Sequence, residues 1–132
     1  MAKPLKSTLQ PANLCRVHKG ITMDSLQQLR QALKTLQFSD TMNVIDALYD
    51  FTPCAFSNGD TKNEADQNNG SCKLFAFAQL NDFNEAQTLA LFGEFYRDVL
   101  ATPDGDDHQN IRNFMKTGWV GIQFESTALT EK

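Results

Sequence analysis

Apolar residues recur at helical spacing in several separate segments of this chain, and this periodicity limits the possible folds more than any other feature. The first segment holds Leu26, Leu29, Leu33 and Leu36, which follow one another at steps of three and four residues. Such spacing places all four side chains on one face of a helix. The sequence therefore predicts an amphipathic helix that runs to about Gln37.

Four further segments carry helical signals, and each follows a residue type that favours the N-cap position. They begin after Ser39 or Asp40, after Ser71 (through Leu80), after Asn84 (about Glu85–Leu100) and after Asp106 or Asp107 (ending at Gly118). Their predicted inner faces hold Met42, Ile45, Leu48 and Tyr49, then Leu89, Phe92, Tyr96 and Val99, and finally Ile111 and Met115. In the segment after Ser71, the run Leu74–Phe77 is also compatible with a buried strand.

Strand signals are few and short. The segment Trp119–Phe124 alternates, with Val120, Ile122 and Phe124 on one face, and so predicts a terminal strand. Phe51–Phe56 favours an extended conformation, and its proline limits it to an edge strand or a strand end. With 132 residues there is room for one domain. The predicted fold class is α+β, a helix-rich domain of about five helices with a small sheet of two or three short strands.

Charge divides the chain into two parts. Residues 1–22 lack apolar periodicity and acidic residues, and we interpret them as a loosely ordered basic leader to a single domain at 23–132. The bases of the leader are Lys3, Lys6, Arg16 and Lys19. The domain is strongly acidic, which disfavours nucleic acid as a partner because phosphate backbones would be repelled. The chain has no apolar run long enough to span a membrane and no signal-peptide core, so we expect a soluble, cytoplasmic protein.

The cysteines do not predict a metal site. Cys15, Cys54 and Cys72 have no metal-ligand spacing and no neighbouring histidine cluster. An odd number of cysteines in a protein without a secretory signal is typical of free thiols. We therefore expect neither a metal nor another cofactor.

Residues 57–69 form the longest polar stretch of the predicted domain and are interpreted as a loop. Long polar loops in small domains usually have a function. The candidate binding residues in this loop are Asn58, Asn63, Glu64 and Asn68. The alternative is that these side chains bind backbone groups of the loop and hold its shape.

Three residues could support catalysis. Cys72 is predicted at the first position of a helix, where backbone amides lower the pKa of a thiol. His108 lies at the start of another helix, beside two aspartates, and a Cys–His pair of this kind is typical of hydrolases and acyltransferases. Glu64 could act as a general base if burial raised its pKa. The alternative is that Cys72 is a small buried residue and that His108 caps or packs.

Two arginines could form an anion site. Arg97 and Arg112 each carry a planar guanidinium that suits carboxylate and phosphate groups. Each arginine also has acidic residues nearby, so structural ion pairing is the alternative.

Several runs of the sequence resemble the HopJ type III effector family. They lie in order between about Phe38 and Phe124 and are Ile45–Pro53, Asn63–Ala65, Asn68–Lys73, Phe92–Arg97, Asp107–Arg112 and Gly118–Trp119. Asp66 stands where the resemblance implies a glycine. The resemblance implies a bacterial protein that a type III secretion system delivers into host cells. It implies no reaction and no catalytic residues.

Two functional hypotheses follow. The first is a binding protein that recognises a host or bacterial protein, or a small molecule, through residues 57–69 and their surroundings. The second is a hydrolase or transferase built on Cys72, His108 and Glu64. A cleft that joins Cys72 or Glu64 to His108 would favour the enzyme.

Overall fold

The computed structural model describes residues 23–132. Residues 1–22, the predicted basic leader, lie outside the described residues. The leader and its boundary at 23 therefore stay a prediction.

The described chain is an α+β domain, which confirms the predicted fold class. Its helices are α1 (Met23–Gln31), α2 (Phe38–Leu48), α3 (Asn69–Leu80), α4 (Glu85–Ala90), α5 (Glu94–Ala101) and α6 (Gln109–Thr117), followed by a 3-10 turn at Gly118–Gly121. Its strands are β1 (Tyr49–Phe51), β2 (Phe56–Asn58), β3 (Thr61–Asn63), β4 (Ile122–Phe124) and β5 (Leu129–Glu131). No helix among these residues is long and apolar enough to cross a membrane.

The strands form two small antiparallel sheets. In the first, β1 pairs with β5, and Tyr49 lies opposite Glu131. In the second, β2 is the central strand between β3 and β4, and Phe56 lies opposite both Asn63 and Phe124. The second sheet brings β4, near the end of the chain, next to the β2–β3 hairpin in the middle of the chain.

Helix α3 lies at the centre of the core. Its segment from Leu74 to Ala78 is buried at every position. A helix that is apolar on all sides loses the 3.6-residue periodicity that would distinguish it from a strand. The strand alternative for Leu74–Phe77 is wrong, because these residues lie within α3. The sequence was ambiguous here because this part of the helix is buried on all sides.

The predicted helix at 85–100 is divided in two. Asn84 and Gln87 form the predicted capping box at the start of α4, with bonds of 2.8 and 2.9 Å. The break occurs at Gly93, whose φ is 63°. A Cβ at this position would lie 2.6 Å from the backbone nitrogen of Phe38. Glycine occupies the N-cap of α5 because the chain there approaches the start of α2 too closely for any side chain.

Other boundaries also differ from the predictions, and α2 begins at Phe38 rather than after Ser39 or Asp40. Helix α1 ends at Gln31, six residues before the predicted end at Gln37. The terminal strand begins at Ile122, because Gly118–Gly121 forms a 3-10 turn. The prediction that Val120 faces inward is wrong, since this residue is 93% exposed.

The polar segment 57–69 is not a loop throughout. Its first half completes the β2–β3 hairpin, which places Asn58 and Asn63 in strands. A turn then leads to Asn68, the N-cap of α3. The buried positions of these strands include the polar residues Asn58 and Asn63. The strands therefore lack the apolar residues by which a strand is usually recognised in a sequence.

Candidate functional site

Four asparagine side chains form a hydrogen-bonded network, which we call the asparagine network: Asn58, Asn63, Asn68 and Asn110. Asn63 Nδ2 donates to Asn110 Oδ1 at 3.2 Å, and Asn110 Nδ2 donates to Asn63 Oδ1 at 3.1 Å. Asn58 Nδ2 donates to the backbone oxygen of Asn110 at 2.8 Å and to its Oδ1 at 3.0 Å. Asn68 Nδ2 donates to Asn63 Oδ1 at 2.7 Å. The network joins the hairpin to the start of α6 and to the cap of α3.

Burial makes this network rigid. Asn58 is fully buried and Asn63 is 1% exposed. A buried amide that loses its partner has neither a protein partner nor water to bind, and this costs free energy. Each amide of the network therefore holds the others in place. Among the buried side-chain oxygen and nitrogen atoms of the described residues, only Asn58 Oδ1 has no hydrogen-bond partner.

A cleft of about 400 Å³ lies beside the asparagine network. One side is polar and is formed by Thr61, Asn63, Asn68, Ser71, His108, Gln109 and Asn110. The other side is largely aromatic and is formed by Phe38, Phe92 and Phe95. Mixed linings of this kind are typical of ligand pockets, where a few polar groups orient a ligand against apolar walls.

The first turns of α3 and α6 both line the cleft. Their N-cap residues, Asn68 and His108, adopt left-handed conformations with φ of 54° and 52°. Neither N-cap side chain accepts a hydrogen bond from its helix. The first amides of a helix have no partner within the helix. Amide donors from two helices therefore remain available at this cleft.

His108 is the one ionisable side chain among the described residues that line the cleft. Its ring stacks on Phe95, with 5.3 Å between the ring centroids. Its Nε2 lies 3.8 Å from Asp98 Oδ2 and 3.9 Å from Asp107 Oδ2. Asp107 is held in turn by Arg112, whose hydrogen bond to the carboxylate is the main reason that the pKa of Asp107 is lowered. The helix start predicted for His108 is confirmed, although His108 itself, rather than Asp106 or Asp107, is the N-cap.

Cys72 is a buried thiol that does not line the cleft. It occupies the fourth position of α3 rather than the first, because Asn68 rather than Ser71 is the N-cap. Its N–H is therefore already bonded to the backbone oxygen of Asn68, at 3.0 Å. Desolvation, with a smaller effect from neighbouring Cys54, raises the pKa of Cys72 to about 12. The thiol donates to the backbone oxygen of Cys54 at 3.6 Å.

Glu64 is exposed in the turn after β3 and does not line the cleft either. Of the three candidate catalytic residues, the structure places only His108 there. The arrangement that would favour a hydrolase or transferase, with Cys72 or Glu64 joined to His108 by one cleft, is absent from the described residues.

The two arginines have separate roles in the structure. Arg97 donates to the backbone oxygen of Leu36 at 3.0 Å. Arg112 binds the Asp107 carboxylate at 2.6 Å and the backbone oxygen of Thr102 at 2.9 Å. Each guanidinium holds a turn beside a helix, and no shared anion site connects them within the described chain.

Of the four candidate residues in the polar segment, Asn58, Asn63 and Asn68 meet in the asparagine network, whereas Glu64 does not. Asn110, which joins them, was not predicted from the sequence. Asn110 is four residues before Phe114 in α6, and so both lie on the buried face of this helix. The signal that could have identified Asn110 is a polar amide on an otherwise apolar helical face. The roles of Ser71 and of the aromatic residues in the cleft were also not predicted.

The fold and the cleft can be compared with known proteins. The model of the HopJ type III effector protein family matches residues 22–129. The chain belongs to this family. The match includes every residue of the asparagine network and of the cleft.

A solved structure is also similar to the chain. It is the crystal structure of VPA0580, a protein described as being of unknown function. The two sequences are 57% identical, the similarity covers 83% of this chain and 92% of VPA0580, and the TM-score is 0.80. No curated protein matches the chain. The comparisons therefore show the family and the fold.

Proposed function

We propose that this HopJ-family protein is a binding protein whose recognition site is the cleft beside the asparagine network. The observation that carries the proposal is that hydrogen bonds between Asn58, Asn63, Asn68 and Asn110, all of them buried except the one from Asn68, fix one wall of the cleft before any ligand arrives. A preformed site binds more tightly than a flexible one, because less conformational entropy is lost on binding.

The lining supports recognition rather than catalysis. Asn63 and Asn110 already use their amide groups to bind each other, and so they shape the wall of the cleft. Cys72, the candidate nucleophile of the enzyme hypothesis, is buried outside the cleft and protonated at neutral pH. The available polar groups are suited to holding a ligand in one orientation.

We also propose that the protein acts inside host cells after delivery by a type III secretion system. Membership of the HopJ type III effector protein family supports this proposal. A reporter enzyme that is active only in host cytosol, fused to the C-terminus of the chain, tests it. We expect a reporter signal from a bacterium with an intact secretion system. An equal signal from a strain without the secretion ATPase would contradict delivery by this route.

The binding proposal is tested by NMR with the ¹⁵N-labelled chain and a fragment library of carboxylates, phosphomonoesters and neutral aromatic amides. Fragments that bind the cleft should shift the amide signals of Asn68–Ser71 and His108–Ile111. A Ser71→Trp variant should lose these shifts, because the larger side chain would fill the cleft.

The matched control is Ser39→Trp, since Ser39 is an exposed serine in the first turn of α2 and does not line the cleft. This variant should bind the fragments as the natural chain does. Shifts that cluster elsewhere on the surface, or that persist in Ser71→Trp, would contradict the proposal.

A further inference from the structure

We propose that the ligand of the cleft is a small organic anion, with a carboxylate or phosphate group at His108 and an apolar or aromatic part against Phe38, Phe92 and Phe95. This inference rests on the proposed binding function and names the chemical class of its ligand. Three features of the cleft support it: its unused hydrogen-bond donors, its charge and the shape of its apolar wall.

The unused hydrogen-bonding groups of the cleft are mainly donors. Four backbone N–H groups have no hydrogen-bond acceptor among the described residues: those of Gly70, Ser71, Gln109 and Asn110. The Ser71 hydroxyl also has no recorded partner in this part of the chain. A pocket with surplus donors binds an acceptor, and an oxyanion offers several acceptor sites at once.

Within the described part of the chain, the lining of the cleft holds no acidic side chain, in contrast to the chain as a whole. The formal net charge of the chain is −4, yet no aspartate or glutamate is among the described residues that line the cleft. His108 becomes positive when it is protonated. The groups that face its ring are the carboxylates of Asp98 and Asp107 and the ring of Phe95, and Arg112 binds one of those carboxylates. In this protonated state His108 can offer a charge-assisted hydrogen bond to a ligand.

The aromatic residues of the cleft favour a ligand that has an apolar part over an inorganic ion. Phe92 stacks with Phe38 at 6.2 Å between centroids, and Phe38 packs against Phe95 at 5.1 Å. Gly70 leaves the space that the Phe38 ring uses, since a Cβ there would lie 2.8 Å from the ring. Phe38 and Phe95 remain partly exposed toward the cleft. Aromatic rings of a ligand gain dispersion and edge interactions against such a wall.

The experiment compares phenyl phosphate, benzoate and benzamide by NMR titration of the full chain at about pH 5.5 and about pH 8, on either side of the usual histidine titration. At least one of the two anions should bind at the cleft about tenfold more tightly than benzamide, because a charge-assisted hydrogen bond is stronger than a neutral one. Its affinity should fall at the higher pH. The two anions distinguish a phosphate ligand from a carboxylate ligand.

His108→Asn should remove both the preference for the anion and its pH dependence. Asparagine tolerates the left-handed conformation of His108, and so the change removes the charge without straining the cap. The control is Lys34→Ala, which removes a positive charge from an exposed residue outside the cleft. Ser71→Ala provides a second variant that should weaken the anion if His108→Asn does not fold.

The outcomes separate this inference from the proposed function. If benzamide binds the cleft as tightly as both anions, the ligand is not selected by charge, and the binding function stands without this inference. If no probe shifts the cleft signals, both proposals fail. If His108→Asn and Lys34→Ala weaken the anion equally, general surface charge rather than the cleft explains the binding, and the inference is overturned.

Discussion

Asn63 and Asn110 exchange two side-chain hydrogen bonds, one in each direction, at 3.2 and 3.1 Å. The pair connects a strand of the hairpin with the first turn of α6, 47 residues later in the sequence. Both amides are almost completely buried. The position of the hairpin relative to α6, and with it one wall of the cleft, depends on this pair.

Asn110→Asp should destabilise the protein by about 3 kcal/mol at neutral pH, because it replaces a buried donor by an unpaired buried charge. Burial raises the pKa of such a carboxyl group, so the loss should shrink as the pH falls and the carboxyl becomes neutral. Urea unfolding of the variant and the natural chain at neutral and acidic pH measures the difference.

Asn43→Asp is the control, since Asn43 is exposed on α2. It should change the free energy of unfolding by no more than about 0.5 kcal/mol. Equal effects of the two substitutions would mean that the Asn63–Asn110 pair does not stabilise the fold.

The sequence predicted the helices with clear apolar stripes but not the boundaries that depend on contacts. Gly93 divides a periodic segment because its backbone meets the start of α2, and no local pattern encodes that approach. Leu74–Phe77 was ambiguous because α3 is enclosed on all sides. Asp66, where the resemblance implies a glycine, has a φ of 69°, a conformation that glycine adopts freely and aspartate tolerates.

The site was predicted only in part. Asn58, Asn63 and Asn68 were selected because a long polar segment in a small domain is unusual. Their partner Asn110 was not selected, because tertiary contact, rather than spacing along the chain, joins it to them. The burial of Cys72 also depends on Cys54 and its neighbours in three dimensions. The sequence left Cys72 either as a thiol activated by a helix end or as a small buried residue, and in the structure it is buried, with its pKa raised by desolvation.

Cys72 should react slowly with iodoacetamide in the native protein. Its pKa is raised to about 12 from an ordinary value of 9.0, so the thiolate is scarce at neutral pH, and the thiol is fully buried. Peptide mass spectrometry should find slow labelling of Cys72 at about pH 7 and fast labelling in denaturant. Rapid native labelling at about pH 6 would contradict this and would revive the hypothesis of a cysteine-dependent enzyme.

The raised pKa of Cys72 also predicts how the stability of the protein depends on pH. A pKa raised in the folded state stabilises the protein fully below the unfolded value of 9.0 and less as the pH rises toward about 12. The difference in unfolding free energy between the natural chain and Cys72→Ala should therefore shrink above about pH 9. A constant difference across this range would show that Cys72 ionises as easily in the folded chain as in the unfolded one.

Arg112→Lys should raise the pKa of Asp107 toward its ordinary value. The hydrogen bond from the Arg112 side chain is the largest cause of the lowered pKa, and lysine cannot reproduce the planar fork. A lowered folded-state pKa stabilises the protein above the unfolded value, and this contribution is lost as the pH falls through the folded value. A ¹³C NMR titration of the Asp107 carboxyl measures the change. Arg97→Lys is the control, because Arg97 binds a backbone oxygen and should leave Asp107 unchanged.

Trp119 should act as a structural anchor, as its position after the glycine cap predicts. Its ring packs edge-on against Phe114 at 5.0 Å and Phe75 at 6.3 Å between centroids, and its Nε1 donates to the backbone oxygen of Phe83 at 3.2 Å. Trp119→Phe keeps an aromatic ring but loses the hydrogen bond, and should cost about 1 kcal/mol. Trp119→Ala also removes the aromatic packing and should cost about 3 kcal/mol, the low end for a large-to-small change because the indole is only partly buried. Thermal unfolding of both variants tests the order. Equal losses would assign the stabilisation to the hydrogen bond alone, and a red-shifted, readily quenched native fluorescence would show that the indole is not packed.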